Sequence, residues 1–176
     1  LGSAQDAKKA EDAKKPKKTL FAGEKGSFPN LESCEMTFNA GWKDVVNAGQ
    51  LKVNVVSSGD SIKVLATGAN VGAANALLPV EGEFLSLIDA ATLQPKAMEQ
   101  TEKRQGKVLL STVQFEGGKV TVKKSLNPGS AEEQLGYEAS YEAARAFDLV
   151  SAAFFVRSQD LKVGASYSLV VVPQST

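Results

Sequence analysis

The sequence predicts a mainly β protein, a curved antiparallel sheet flanked or plugged by a short helix, and three observations carry that reading. Runs in which apolar and polar residues alternate recur along most of the chain, as in strands with one buried face. Glycine-bearing turns join neighbouring runs too closely for the crossover connections of a parallel sheet. One stretch, Phe147 to Arg157, stands apart as a helix. Asp148 is a good N-cap, and Leu149, Val150, Ala153, Phe154 and Val156 form one broad apolar face at helical spacing. Arg157 places a cation where the helix dipole favours it. So apolar a helix needs a sheet face to cover.

The elements follow in order. Residues 1–22 form a Lys/Ala-rich segment with few large apolar groups, expected to be a disordered tail because it cannot bury enough surface to offset its ordering entropy. Six lysines against three acids leave residues 1–19 at +3, so the remainder of this formally neutral chain carries −3. A single domain is expected over 23–176. Its first strand is Glu32 to Asn39, with Cys34, Met36 and Phe38 on one side. Trp42, the only tryptophan, follows beside Gly41, and Asn47-Ala48-Gly49 turns the chain. Gln50 to Val56 and Ser61 to Thr67 make a hairpin across Ser57-Ser58-Gly59-Asp60. Ala73 to Leu78 favours a short helix stopped by Pro79.

Glu83 to Ile88 and Lys96 to Arg104 are the next strands, separated by the turn Asp89-Ala90-Ala91-Thr92-Leu93-Gln94-Pro95. Val108 to Phe115 and Lys119 to Lys124 form a hairpin at Glu116-Gly117-Gly118, where adjacent glycines supply positive φ. Asn127 to Glu142 reads as an acidic, irregular loop of a length that is either mobile or functional. After the Asp148 helix come a turn at Leu161 to Gly164 and a last strand, Ser166 to Val172.

Composition excludes several chemistries. There is no histidine and one cysteine, which removes the commonest general base, the commonest metal ligand and any intrachain disulfide. Cys34 sits in an alternating run and reads as a core thiol. The acidic balance of the body argues against a nucleic-acid groove. No run reaches the roughly 18 apolar residues of a membrane helix. The pairs Glu132-Glu133, Glu81 with Glu83, and Glu99 with Glu102 are solvated carboxylates by context, and Gly68-Ala69-Asn70-Val71-Gly72 lacks a P-loop lysine. No cofactor, no metal and no catalytic residue are expected. The opening Leu1-Gly2-Ser3-Ala4-Gln5 resembles the end of a secretory signal peptide and predicts export.

Three groups of residues carry a resemblance. Phe28-Pro29-Asn30-Leu31-Glu32 is followed by Phe38, Trp42 and Ala48-Gly49. Asp89 to Pro95 is a D-x-x-T-L-x-P turn, followed by the hairpin with Phe115 and its glycines. Asp148-Leu149-Val150-Ser151-Ala152 with Phe154, Phe155 and Arg157 precedes Leu161-Lys162-Val163-Gly164. In order and spacing these are similar to the bacterial exported-protein family DUF3108, a domain of unknown function. Asn30-Leu31 stands where that family often has Gly before its Glu, and Phe155 falls near its usual Tyr. The resemblance implies a periplasmic or cell-envelope protein and an open or half β-barrel, akin to lipoprotein-carrier half-barrels. It also implies that the family's last strands are missing beyond Thr176, which would leave a sheet edge open.

Two functions follow as expectations. The first is a non-enzymatic binding module that holds a lipid or small apolar ligand on a concave sheet face, with Phe38, Trp42, Phe84 and Phe154 as ligand-binding residues. The second is an envelope structural or assembly protein that pairs with a partner chain through its open edge.

Overall fold

The structure, a computed structural model, describes residues 18–20, 24–42, 46–164 and 166–172, with backbone alone at 18–20, 42 and 46. Eight antiparallel strands in simple chain order make one sheet: β2 (Cys34–Trp42), β3 (Val46–Ser58), β4 (Ser61–Asn70), β5 (Val80–Asp89), β6 (Pro95–Arg104), β7 (Lys107–Glu116), β8 (Lys119–Leu126) and β9 (Gln134–Glu142). The sheet does not close into a barrel, so β2 and β9 are its edges. Among the described residues, no helix is long and apolar enough to cross a membrane.

Register follows from the alternation. Cys34 lies opposite Val55, Val55 opposite Val64, and Val64 opposite Ser86; the row continues through Met98, Val113 and Val122 to Ala139. One row of side chains thus crosses all eight strands on the inner face. A one-residue slip would turn every one of them to solvent. The tight turns reinforce this. Gln105-Gly106 and Gly117-Gly118 both have positive φ at each central residue, the geometry whose twist matches that of flanking strands.

Two helices interrupt the meander. α1 (Gly72–Leu77) bridges β4 and β5 and buries none of its residues. α2 (Leu149–Ser158) lies on the inner face. Its core joins Phe147, Ala152 and Phe155 to Val55, Ile62, Val64, Ile88 and Leu93 of the sheet and its Asp89 turn. A second core, Met98, Val113, Val120 and Val122 with Ala146 and Val172, closes the β6–β8 half.

The helix presents a different buried stripe from the expected one. Ser151, Ala152, Phe155 and Ser158 are buried, whereas Leu149 is 61% exposed and Phe154 half-buried. Small side chains let the helix approach closely, and the larger apolar residues on its other side are left facing a groove.

Three further expectations are corrected. The loop expected over Asn127 to Glu142 contains β9. The last strand, expected over Ser166 to Val172, is two short pieces outside the main sheet. β11 (Ser166–Ser168) pairs in parallel with β1 (Lys18–Leu20), and β12 (Val170–Val171) pairs in parallel with β10 (Ala146–Phe147). The tail expected over 1–22 therefore includes a paired strand at Lys18–Leu20; residues 1–17 and 21–22 lie outside the described residues. Cys34 is half-buried against the first core, as a packing thiol.

Residues 24–31 run as a strap across the C-terminal end of α2. Gly26 N–H donates to Ser158 Oγ at 3.0 Å, Phe28 N–H to the Ser158 carbonyl at 3.2 Å, and Arg157 Nη1 to the Pro29 carbonyl at 2.6 Å. Lys25 and Asn30 both donate to the carbonyl of Ala90 in the Asp89 turn. That turn is built by the Asp89 carboxylate, which accepts from the N–H groups of Ala91 and Thr92 and from the Thr92 hydroxyl, with Lys96 Nζ 3.2 Å away. Leu93 takes φ +60° there, with its side chain fully buried.

Candidate functional site

The N-cap of α2 fixes where the helix sits. Asp148 is fully buried, and its Oδ1 accepts from the N–H groups of Val150 and Ser151 at 2.8 Å each. The Ser151 hydroxyl accepts in return from Asp148 N–H at 3.0 Å, which completes a reciprocal capping box. The other carboxylate oxygen accepts from the Ser86 hydroxyl at 2.7 Å. Ser86 stands in the middle of β5, on the inner face. One carboxylate therefore caps the helix and ties it to the sheet. Burial raises the Asp148 pKa above its ordinary value, and hydrogen bonds from Ser151 N–H, Ser86 and Val150 N–H offset part of that shift.

Anchored in this way, α2 covers the inner face near Ile62 and Ile88 and leaves the opposite end of β2–β6 uncovered. What remains is an open groove of about 800 Å³, within the range of small-molecule sites, roughly 300–1,000 Å³. Its floor consists of successive cross-strand rows. One runs Met36, Val53, Ala66, Phe84 and Gln100; the next runs Phe38, Leu51, Gly68, Gly82 and Glu102. Leu149, Val150, Ala153 and Phe154 of α2 form the roof.

At the mouth, Phe38 is 52% exposed and Leu51 41%. Large apolar side chains thus stand exposed around a concavity with a further apolar interior behind them.

Of the four residues expected to bind ligand, Phe38, Phe84 and Phe154 line this one groove. Trp42 pairs through its backbone with Val46 beyond the Phe38 end of β2, and its side chain lies outside the described residues.

Gly68 and Gly82 were not expected at the site. Both sit inside strands with extended backbones, and a Cβ at either would find its nearest neighbour 3.5 Å away or farther. Packing does not require glycine at either position; its effect is to deepen the floor. An isolated glycine within a strand pattern is a sequence signal for such a place. Ser86 and Gln100 carried no comparable signal, because a lone polar residue in an alternating run reads as solvent-facing.

Among the described residues there is no group of three or more His, Cys, Asp or Glu placed to hold a metal. A second hollow, about 490 Å³, lies on the outer face among Lys52, Thr67, Glu83 and Lys103; it is open and polar.

An open antiparallel half-barrel with a helix seated in its concavity and an apolar groove beside the helix defines a class of architecture. The chain belongs to DUF3108, a protein family of unknown function, whose pattern it matches over residues 33–175. The Asp89 turn and the Asp148 helix fall inside that match, and the strap at 24–31 precedes it. Neither the curated proteins nor the solved structures contain a match to the chain.

Proposed function

We propose that this protein is a non-enzymatic binding protein that holds an apolar or lipid-like ligand in the groove between α2 and strands β2–β6. The observation that carries the reading is the groove's lining. Phe38, Leu51, Phe84, Val150 and Phe154 surround about 800 Å³ of open space, and leaving such surface wet costs roughly 25 cal/mol per Å². Burying an alkyl chain there recovers that free energy. The same proposal places the protein in the periplasm or cell envelope. Its support is the resemblance to exported proteins and the lysine-rich segment before the domain, which suits an anionic envelope surface.

Native mass spectrometry of the protein purified from an envelope fraction without detergent tests the reading. The expected spectrum contains a second mass that denaturation releases as an amphiphile. A bare protein mass, unchanged after incubation with a total lipid extract, would sink it.

A second reading rests on β9. All its residues but Ala139 are exposed, and Leu135, Tyr137 and Tyr141 stand on it beside an edge with no strand pairing among the described residues. Such an edge suits strand addition by a partner chain in an envelope assembly. Sedimentation velocity separates the two: a monomer that carries an amphiphile fits the groove, and a stoichiometric protein complex lost on Tyr137→Pro fits the edge.

A further inference from the structure

The open edge at β9 has a sequence that fits a second copy of itself. Tyr137 and Tyr141 stand exposed on its inner face, opposite Lys124 and Val120 of β8, and Lys124 Nζ lies 5.5 Å from the centre of the Tyr137 ring. On the outer face Glu138 and Glu142 stand opposite Lys123 and Lys119, so the charges of this edge already have counterparts within the sheet. Between Gln134 and Glu142 there is no lysine and no proline, two residues that commonly blunt an edge. The backbone restricts what can add there. Ala143 N–H donates to the Gly118 carbonyl at 2.7 Å. By the alternation of an antiparallel ladder, Tyr141 and Ala139 then turn their N–H and C=O groups to β8, and those of Glu138, Ser140 and Glu142 point out from the edge.

We propose that β9 pairs with β9 of a second copy of this chain, antiparallel about a two-fold axis at Ala139, joining two eight-stranded sheets into one. This rests on the edge reading above and names its partner. A ladder forms only between outward-pointing positions, so Glu138, Ser140 and Glu142 must face even-numbered positions of the copy. An axis at Glu138 would set that carboxylate against its twin, and an axis at Ser140 would set Glu138 against Glu142. Like charges directly opposite are destabilising. The axis at Ala139 instead sets Glu138 opposite Ser140 and Tyr137 opposite Tyr141, and symmetry repeats each pair. Cross-strand aromatic pairs are among the favourable ones. Pairing β9 with β2, the sheet's other edge, would repeat as an open filament, whereas the two-fold contact closes.

Sedimentation velocity of the purified full chain at rising concentration tests this, together with cross-linking of two cysteine variants. The chain is expected to shift from monomer to dimer as concentration rises. Each cysteine variant also carries Cys34→Ala, so that the new thiol is the only one. Ala139→Cys brings two thiols together at the axis, in a non-hydrogen-bonded pair with Cα atoms roughly 4.5 Å apart, within reach of a disulfide. Mild oxidation should convert most of it to a covalent dimer, and Glu138→Cys, which faces Ser140, should give several-fold less. Glu138→Pro removes an outward N–H that its own sheet does not use, a place where an edge strand tolerates proline. It should stay monomeric with its melting temperature nearly unchanged. A chain monomeric at every concentration, or equal cross-linking of the two cysteine variants, would overturn this inference. A monomer that still forms a Tyr137→Pro-sensitive complex with another protein of the envelope fraction would overturn it and leave the edge reading standing. No complex of either kind would sink both.

Discussion

Asp148 caps a helix, holds that helix to the sheet and stays buried, and its pKa records the conflict among these roles. A carboxyl whose pKa rises on folding binds its proton more tightly in the native state than in the unfolded one. Its contribution to stability is therefore fully present below the unfolded value of 3.8 and is lost as pH rises through the raised folded value. Asp89 acts in the opposite direction. The Thr92 N–H holds its pKa down, and Lys96 and the Thr92 hydroxyl add to that against a smaller desolvation effect. Its contribution is present above 3.8 and lost as pH falls through the lowered folded value. Asp148→Asn keeps an N-cap acceptor for Val150 and Ser151, and its amide can donate to Ser86. Urea midpoints measured from pH 3 to 7 should show the loss of stability above pH ~4 disappear in Asp148→Asn. Identical pH profiles for the two proteins would mean that burial leaves this carboxyl unperturbed.

Adjacent phenylalanines separate core from groove on the same helix. Phe155 is 1% exposed and its ring lies 4.9 Å from that of Phe147, whereas Phe154 is half-buried in the groove wall. Phe155→Ala should cost about 3–5 kcal/mol by chemical denaturation. Phe154→Ala should cost less than half of that and act on ligand binding instead. Equal losses for both would place Phe154 in the core.

At the scale of elements, the strap and the helix end depend on close approach. A Cβ at Gly26 would overlap the Ser158 carbonyl and the start of Gln159. Gly26→Ala should therefore displace the strap and lower stability by roughly 1–3 kcal/mol, as overpacking does, read as a lower melting temperature. An unchanged melting temperature would show that the strap contributes little.

Most of the meander was legible in the sequence because Leu51, Val53 and Val55, or Val120 and Val122, alternate with polar partners and each run ends in a glycine turn. β9 carries the same signal in Leu135, Tyr137, Ala139 and Tyr141. Pro128-Gly129 and the acids before it masked that signal, and the register shift between Lys124 and Ser125 breaks its regularity. The face of α2 was misread for a physical reason: the apolar stripe is the groove wall, and the buried stripe is Ser151, Ala152, Phe155 and Ser158. Three of the four expected ligand residues meet in one groove. Gly68, Gly82 and Gln100 came to light through cross-strand register, which links positions far apart in the sequence.

For the molecule as a whole, the groove is a departure from the economy of a packed core. Protein interiors fill to crystal density, and the β6–β8 half of this sheet buries Met98, Val113, Val120 and Val122 in a core of its own. The β2–β5 half places Gly68, Gly82 and Ala66 opposite the helix and leaves space. If that space served only the fold, larger side chains would stabilise it. Gly82 has extended backbone, and a Cβ there would lie 3.6 Å from its nearest contact, the Thr101 carbonyl. A Cβ fits at this position, and a leucine side chain there would extend into the groove beside Gly68. Gly82→Leu is therefore expected to raise the melting temperature by a few degrees, the scale of about 0.5–2 kcal/mol for cavity filling and glycine removal. It should also abolish displacement of an apolar fluorophore. Gain of stability with loss of binding would identify the groove as space kept open for a ligand at the expense of the fold. A variant that is more stable and still binds would place the ligand elsewhere, and a destabilised one would mean that Gly82 is glycine because the sheet demands it.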